Sequence, residues 1–360
     1  MTASARSPYF VSAPVDFLCI GGFSILLFLA MLPFSVPRTS WVIHTAAILT
    51  WLCNWPHFAA TNVRLYHTRE NIAQYPVTAL AIPVLVTAAA VWALADPVRV
   101  APLLVKLFLF WSSYHYSGQS LGISLAYAKR SGVAIGQAER FALSGFIFGT
   151  FLYSIARSEV GCKEWPPNSY FGVTIPVLHL PLWVATVAGM GLILCAAALV
   201  VLVVRWSVLN RRIFPLIVLL PAAAQFVWFL LGWRVPGFNE FVPFFHGTQY
   251  LLIAWAMQLK EKMDLGQVLP SSRYVALETG RWGMTIFLLG AFLFWVLPRV
   301  AASAGHPLSL AEPVVIAAVQ IHHFFVDGVI WKLRNPKIGS ALLVNIDDLR
   351  GSRAGLLQPA

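Results

Sequence analysis

Five histidines and one aspartate stand in apolar stretches where a lone polar side chain is costly, and they fall into four short clusters. The first is Asn54-Trp55-Pro56-His57-Phe58, continuing to Thr61-Asn62, and the second runs from Ser112 through His115 to Gln119. The third is His246-Gly247-Thr248-Gln249-Tyr250, and the fourth runs from Gln320 through His322-His323 to Asp327. A neutral imidazole nitrogen binds iron, copper or zinc without importing charge, so His57, His115, His246, His322 and His323 are candidate metal ligands. Asp327, four residues after His323, is the carboxylate expected deepest in the apolar sequence. It either completes a His-plus-carboxylate set or orients a ligating ring through its second N–H. Tyr250 and Gln119, with Asp327, are candidates for handling protons or polarising a substrate, and Asn62 and Gln249 are further supports. A single intramembrane His commonly serves as an interhelical hydrogen-bond partner, and Ser, Thr, Gln and Asn as interhelical glue. Five His and an acid at one depth are costly unless they bind something.

The elements that must position these residues follow from composition. Of 360 residues 59% are hydrophobic and 11% charged, which excludes a water-soluble globule. The apolar residues gather in runs of about 18–25, long enough to cross a ~30 Å hydrocarbon core as helices. Ten runs, near 15–36, 40–63, 77–95, 101–128, 140–157, 177–204, 213–233, 239–259, 282–300 and 311–332, predict an all-α polytopic membrane bundle with about ten transmembrane helices. Alternating the sides of the connecting segments puts eighteen Lys and Arg on one side and six on the other, with Lys106 inside a run. That asymmetry predicts both termini in the cytoplasm and a multi-pass protein of the cytoplasmic (inner) membrane. The net charge of +11 is then an orientation signal, and no nucleic-acid partner is expected.

In that topology the second, fourth, eighth and tenth runs all point the same way, so their depths compare directly. Seven residues separate His57 from the basic residue at the inner end of its run, fourteen separate His115 and His246 from theirs, and nine separate His323. At 1.5 Å per residue these are roughly 10–21 Å, one layer of the membrane. Helical phase agrees: Asn54, His57 and Thr61 share a face, as do Ser112, His115 and Gln119, and as do Gln320, His323 and Asp327. His44, His67, His179 and His306 lie near run ends and read as interfacial, and Lys106 is expected to snorkel. Pro56 kinks its helix, with Asn54 placed to satisfy the freed carbonyl. Four scattered cysteines give neither a disulfide framework nor a metal pair. The start of the chain lacks a secretory signal, so the first helix is expected to be retained. The segment 158–176, with Trp165, Pro166 and Pro167, reads as an interfacial belt or lid. Residues 1–332 form a single transmembrane domain, and 333–360 a short basic cytoplasmic tail.

The HExxH box of zinc proteases and the paired His boxes of membrane desaturases are absent. His246-x-x-x-Tyr250 followed by His322-His323 is similar to the copper-binding arrangement of haem-copper oxidases, although the further haem-ligating histidines of that family are missing. Pro56-His57, His115-Tyr116-Ser117-Gly118, Phe245-His246, and His322 with Asp327 five residues later resemble, in order, the motifs of the bacterial Brp/Blh β-carotene 15,15′-dioxygenases. Tyr250 stands where that family has a second His in its third motif, and Asn62 or Thr61 stands near the place of an acid in its first. The likeness covers about 40 residues spread over the chain. It implies a non-haem iron held by His57, His115, His246 and His322 or His323, acting with O₂ on a lipophilic substrate. It does not carry substrate identity.

The function these readings favour is a membrane-embedded, His-rich iron oxygenase acting on a carotenoid, isoprenoid or other lipid, with copper or zinc as alternative metals. Its partners would be the lipophilic substrate, O₂, membrane lipids and an undefined redox partner. Two other classes fit the same residues: a proton-coupled transporter using the His/Asp set as a relay, and a haem- or quinone-handling membrane protein.

Overall fold

The computed structural model describes residues 7–34, 40–161, 169–269, 271–330, 346 and 349. These residues form an all-α bundle; among them the one sheet is a two-stranded hairpin, β1 (Ser169–Tyr170) paired with β2 (Val173–Thr174). Ten helical stretches among the described residues overlap the ten predicted runs: α1 (13–34), α2 (40–66), α3 (77–95), α4 (Val100–Arg130), α5 (Gln137–Glu159), α6 (Leu182–Asn210), α7 (216–234), α8 (238–266), α9 (272–303) and α10 (Leu308–Ile330), with α6 shifted about five residues later and α9 starting ten residues earlier than expected. Six of them, α1, α3, α5, α6, α9 and α10, are long and apolar enough to cross a membrane by length and composition. Three of the other four, α2, α4 and α8, carry clustered polar residues that lower their hydropathy, and α7 is broken into short turns. The helices that fall short of a simple apolar span are thus mostly those that build the site.

Burial sorts the bundle into an inside and a rim. The apolar window of α10 is 72% buried and that of α6 only 6%, so α10 is central while α6 presents its hydrocarbon outward, where lipid would cover it. Proline shapes several helices. A proline ring clashes with the carbonyl four residues before it and donates no hydrogen bond, and a widened π turn absorbs both effects. Such turns span Thr50–Asn54 before Pro56, Val77–Ala81 before Pro83, and Phe292–Val296 before Pro298. The first lies one turn ahead of His57. Two neighbours press against it through glycine: a Cβ on Gly247 of α8 would lie 2.9 Å from Asn54 Cα, and one on Gly290 of α9 would lie 2.8 Å from the Trp55 backbone. The absence of a side chain beside His246 therefore lets α8 approach the bulge of α2.

One end of the bundle is tied together by chain ends. Asp16 accepts backbone N–H bonds from Phe10, Val11 and Ser12 and a phenolic bond from Tyr127 at 2.8 Å. Most of the expected tail lies outside the described residues. Ile346 and Leu349 pack against Leu259, Met263 and Val275, and Ile346 N–H donates to Phe10 O. Trp165, Pro166, Pro167 and Cys162 also lie outside the described residues. Lys106 does not snorkel as its sequence position suggested: it is 7% exposed, because a carboxylate, that of Glu159, meets it at 2.7 Å.

Candidate metal centre

Four helices each deliver one histidine to the same place. His57 follows the π turn of α2, His115 lies midway along α4, His246 sits near the start of α8, and His323 lies on α10, whose apolar window is 72% buried. The His57 ring centroid is 4.8 Å from that of His246 and 4.5 Å from that of His323. That of His115 is 5.0 Å from His246 and 4.9 Å from His323. His57, His246 and His323 are fully buried.

The tightest part is a triangle of two rings and a carboxylate. Nε2 of His115 and Nε2 of His323 are 3.2 Å apart, and Asp327 Oδ2 lies 3.4 Å from the second and 3.6 Å from the first. Ligand atoms that share one ion at about 2.0–2.2 Å stand roughly 3 Å from one another, so this spacing suits a common ion. One ligand atom each from His57, His115, His323 and Asp327 lie within 4.8 Å of each other, a group that could hold a metal. The donor chemistry fits as well. His57 Nε2, His323 Nδ1 and both ring nitrogens of His246 are buried without a hydrogen-bond partner, a costly state for polar atoms that a ligand would relieve. Two imidazoles and a carboxylate with open positions is the donor set associated with non-haem iron.

Around the centre the polar groups are ordered. Tyr250 Oη and Thr61 Oγ1 are 2.6 Å apart, and Thr61 Oγ1 is 3.1 Å from Asp327 Oδ1. Thr61 Oγ1 also lies 3.3 Å from His57 O on its own helix, so its hydroxyl joins Tyr250, the carboxylate and the α2 backbone, while Oδ2 faces the imidazoles. Asn54 Oδ1 sits 3.4 Å from His57 Nδ1, so its side chain serves the ring and not the carbonyl freed by Pro56. Gln119 Nε2 donates to His246 O at 3.1 Å and to Gln249 Oε1 at 3.2 Å, and Gln249 in turn donates to Ile20 O. Asn62 turns back to Phe58 O on its own helix.

Of the five predicted ligands, the structure gathers His57, His115, His246 and His323. His322 is not brought to the group: it is half-buried, stacks on Tyr66 and lies 3.3 Å from its hydroxyl. Adjacent residues on a helix are about 100° apart, so only one of a tandem pair can face the centre. Tyr116, whose ring stacks on His246 at 4.0 Å, was missed, since its sequence signal is only that it follows His115. The bridging role of Thr61 was signalled by its i+4 spacing from His57, but its partners were not.

A cavity of about 330 Å³ adjoins the centre between α4, α8 and α10. His115, Gln119, Tyr250 and Asp327 form its polar side, while Trp111, Tyr114 and Phe324 supply aromatic wall. Gly118, Gly122 and Gly328 complete it, and a Cβ built on any of the three meets nothing within 4 Å. Tyr114, 55% exposed, and Gly118 mark a mouth halfway along the 31-residue α4.

Fold and site together define a class: a helical membrane protein whose interior holds a His/Asp cluster able to bind a metal, beside a largely apolar cavity. No family model matches the chain, and no curated protein or solved structure is significantly similar to it.

Proposed function

We propose that this protein is a membrane-embedded non-haem iron oxygenase acting on a lipophilic substrate. The observation that carries the reading is the convergence of His57, His115, His323 and Asp327, with the His246 ring beside them and several nitrogens unpaired, next to a largely apolar cavity that His115 and Asp327 line. His115, His323 and Asp327 would hold the metal, with His57 as the further nitrogen donor and the His246 ring packed against them. Iron bound there would supply O₂ activation. The chain's own residues do the rest: Thr61 fixes Asp327 Oδ1 so that Oδ2 faces the rings, and Asn54 sets the His57 plane. The buried rings exclude water from the reacting region, which protects reactive species from side reactions. Tyr250, on the cavity wall and hydrogen-bonded through Thr61 to Asp327, is placed to hold or pass a proton at its phenolic oxygen. The order of short His motifs shared with the Brp/Blh dioxygenases points the same way, as does the basic-residue asymmetry for a cytoplasmic-membrane location with both termini inside.

Metal analysis of the purified protein tests the reading. About one equivalent of iron, falling below a tenth in His115→Ala and His323→Ala, is the expected result. Metal-free wild type with pH-dependent flux in proteoliposomes would replace it with the transporter reading, and a Soret band with haem binding.

A further inference from the structure

The cavity beside the metal centre is a slot along one helix. Its border on α4 runs from Trp111 through His115, Gly118 and Gly122 to Ala126, while α8 and α10 each meet it over a single turn, at Tyr250 and Ile253 and at Phe324 and Asp327. Spacings of three and four residues keep the α4 positions on one helical face, and together they span about 22 Å. A volume of about 330 Å³ over that length leaves a mean cross-section of ~15 Å², room for one extended hydrocarbon chain. The centre does not sit at the middle of the slot: along the helix Trp111 lies about 6 Å from His115 on one side and Ala126 about 16 Å on the other. The Trp111 ring packs across on Phe324 and Phe325 of α10, so aromatic rings bound the short arm. The flank is open, with Tyr114, Gly118 and Gly328 exposed where lipid would lie. Followed past Ala126, the same face of α4 leads to Lys129, seven residues from Gly122 and eighteen, five whole turns, from Trp111. Lys129 is exposed, and no described residue forms an ion pair or hydrogen bond with its ammonium. Neighbouring cations are engaged: Arg130 donates to the carbonyls of Pro8 and Tyr9, and Lys260 of α8 pairs with Asp264. The slot thus leads to a cation that the protein leaves unneutralised.

We propose that the slot seats a single-chain lipid with an anionic head, the head at Lys129 and the extended tail lying along Gly122 and Gly118 to end against Trp111. The charged head stays at the basic end of α4 and never crosses hydrocarbon, and the tail enters sideways through the open flank. Only a long tail reaches the centre: His115 lies fourteen residues, about 21 Å, from Lys129, against the ~15 Å of half a hydrocarbon core. The tail segment beside His115 and Asp327 is therefore close to the tail end, with about 6 Å left for the short arm. This names the substrate class of the oxygenase and rests on that reading only for what happens to the bound tail; the binding itself needs no metal. Lys129 and Trp111 are then specificity-determining residues, the first for the charge of the head and the second for the length of the tail.

The test uses the full-length purified protein in phosphatidylcholine nanodiscs with three photoreactive probes, each carrying a diazirine at its tail end: octadecanoate, its uncharged methyl ester, and the shorter decanoate. Labelled residues are mapped by mass spectrometry and referred to labelling of lipid-facing α6. Octadecanoate is expected to label residues 111–115 of α4 and 324–325 of α10, and decanoate, held at the same cation, residues 122–126 instead. The methyl ester labels the slot about fivefold less than octadecanoate, the contribution of one basic residue near the membrane surface. Lys129→Gln, an exposed position where folding is not at stake, lowers octadecanoate labelling by the same factor and leaves the ester unchanged, and Lys129→Arg restores it. Gly283→Leu, which meets open space on α9 away from the slot, changes nothing. Equal labelling by acid and ester, an acid preference that survives Lys129→Gln, octadecanoate labelling at 122–126, or slot labelling no higher than that of α6 overturns the proposal. Iron is measured on the same samples. Absent iron with the labelling pattern intact overturns the oxygenase and supports the lipid site; stoichiometric iron without the pattern overturns the lipid site alone.

Discussion

Among the buried ionisable residues of this bundle, two groups on α4 differ in how completely they are satisfied. At the start of α4, Lys106 Nζ donates to Glu159 Oε2 at 2.7 Å and to Pro176 O at 2.5 Å. Glu159 Oε2 also accepts the N–H of Leu178 at 2.7 Å, and its backbone carbonyl accepts that of Leu180 at 2.7 Å. Opposite charges and directed donors close on one another, and the product is a fixed segment against α4 and α5. Halfway along the same helix, His115 meets three other imidazoles and a carboxylate, and several of these nitrogens face nothing in the protein that can bond them. Polar groups that complete each other hold structure, whereas polar groups that converge without completing each other are poised for something else.

Breaking each group separately sharpens that contrast. On the proposed function, the largest effect is expected from His115→Ala or His323→Ala: iron falls from about one equivalent to under a tenth and oxygenase turnover is lost, while the melting temperature of the metal-free protein changes little. Breaking the ion pair should do the reverse. Lys106→Met leaves the Glu159 carboxylate buried without its cation and is expected to destabilise the fold by about 3–5 kcal/mol. A thermal or denaturant melt reads that loss, and iron per folded molecule stays the same. Adding Glu159→Gln to Lys106→Met should recover part of the stability, since a neutral amide oxygen can still accept from Leu178. An intermediate effect is expected from Thr61→Val, which removes the bridge between Tyr250 and Asp327. Iron affinity drops about 10–100-fold, read by competition with a chelator, and Thr61→Ser restores it. The smallest change belongs to a third buried network, in which Gln225 donates to Ser117 at 2.6 Å and accepts from Ser120 at 3.1 Å. Gln225→Leu should cost about 1 kcal/mol in a melt and leave iron content untouched.

Much of this is legible in the sequence. The helical runs follow from hydropathy because a bilayer admits few other solutions for the backbone, and the His layer follows because helical rise converts residue counts into depth. Phase within one helix was legible too: Asn54, His57 and Thr61 share a face, and so do His323 and Asp327. What failed was the relation between elements. The tandem His322-His323 offered two ligands, and only packing decides which of two side chains about 100° apart faces inward. Lys106 lies 53 residues from Glu159, and no local pattern links them. The glycines at 118, 122 and 328 face open space and those at 145 and 149 face Cys195 and Leu192, a difference that no local pattern carries.

The sequence by itself therefore determined an all-α membrane bundle, the polar faces of its site helices and the chemistry available there, because those depend on residue type and on distances along one helix. The tertiary structure alone decided that four histidines and Asp327 meet, that His322 turns to Tyr66, that Thr61 joins Tyr250 to the carboxylate, and that a cavity opens beside them. Those outcomes depend on how helices distant in sequence approach and rotate against one another, and that is set by bulges such as Thr50–Asn54 and close contacts such as Gly247 on Asn54.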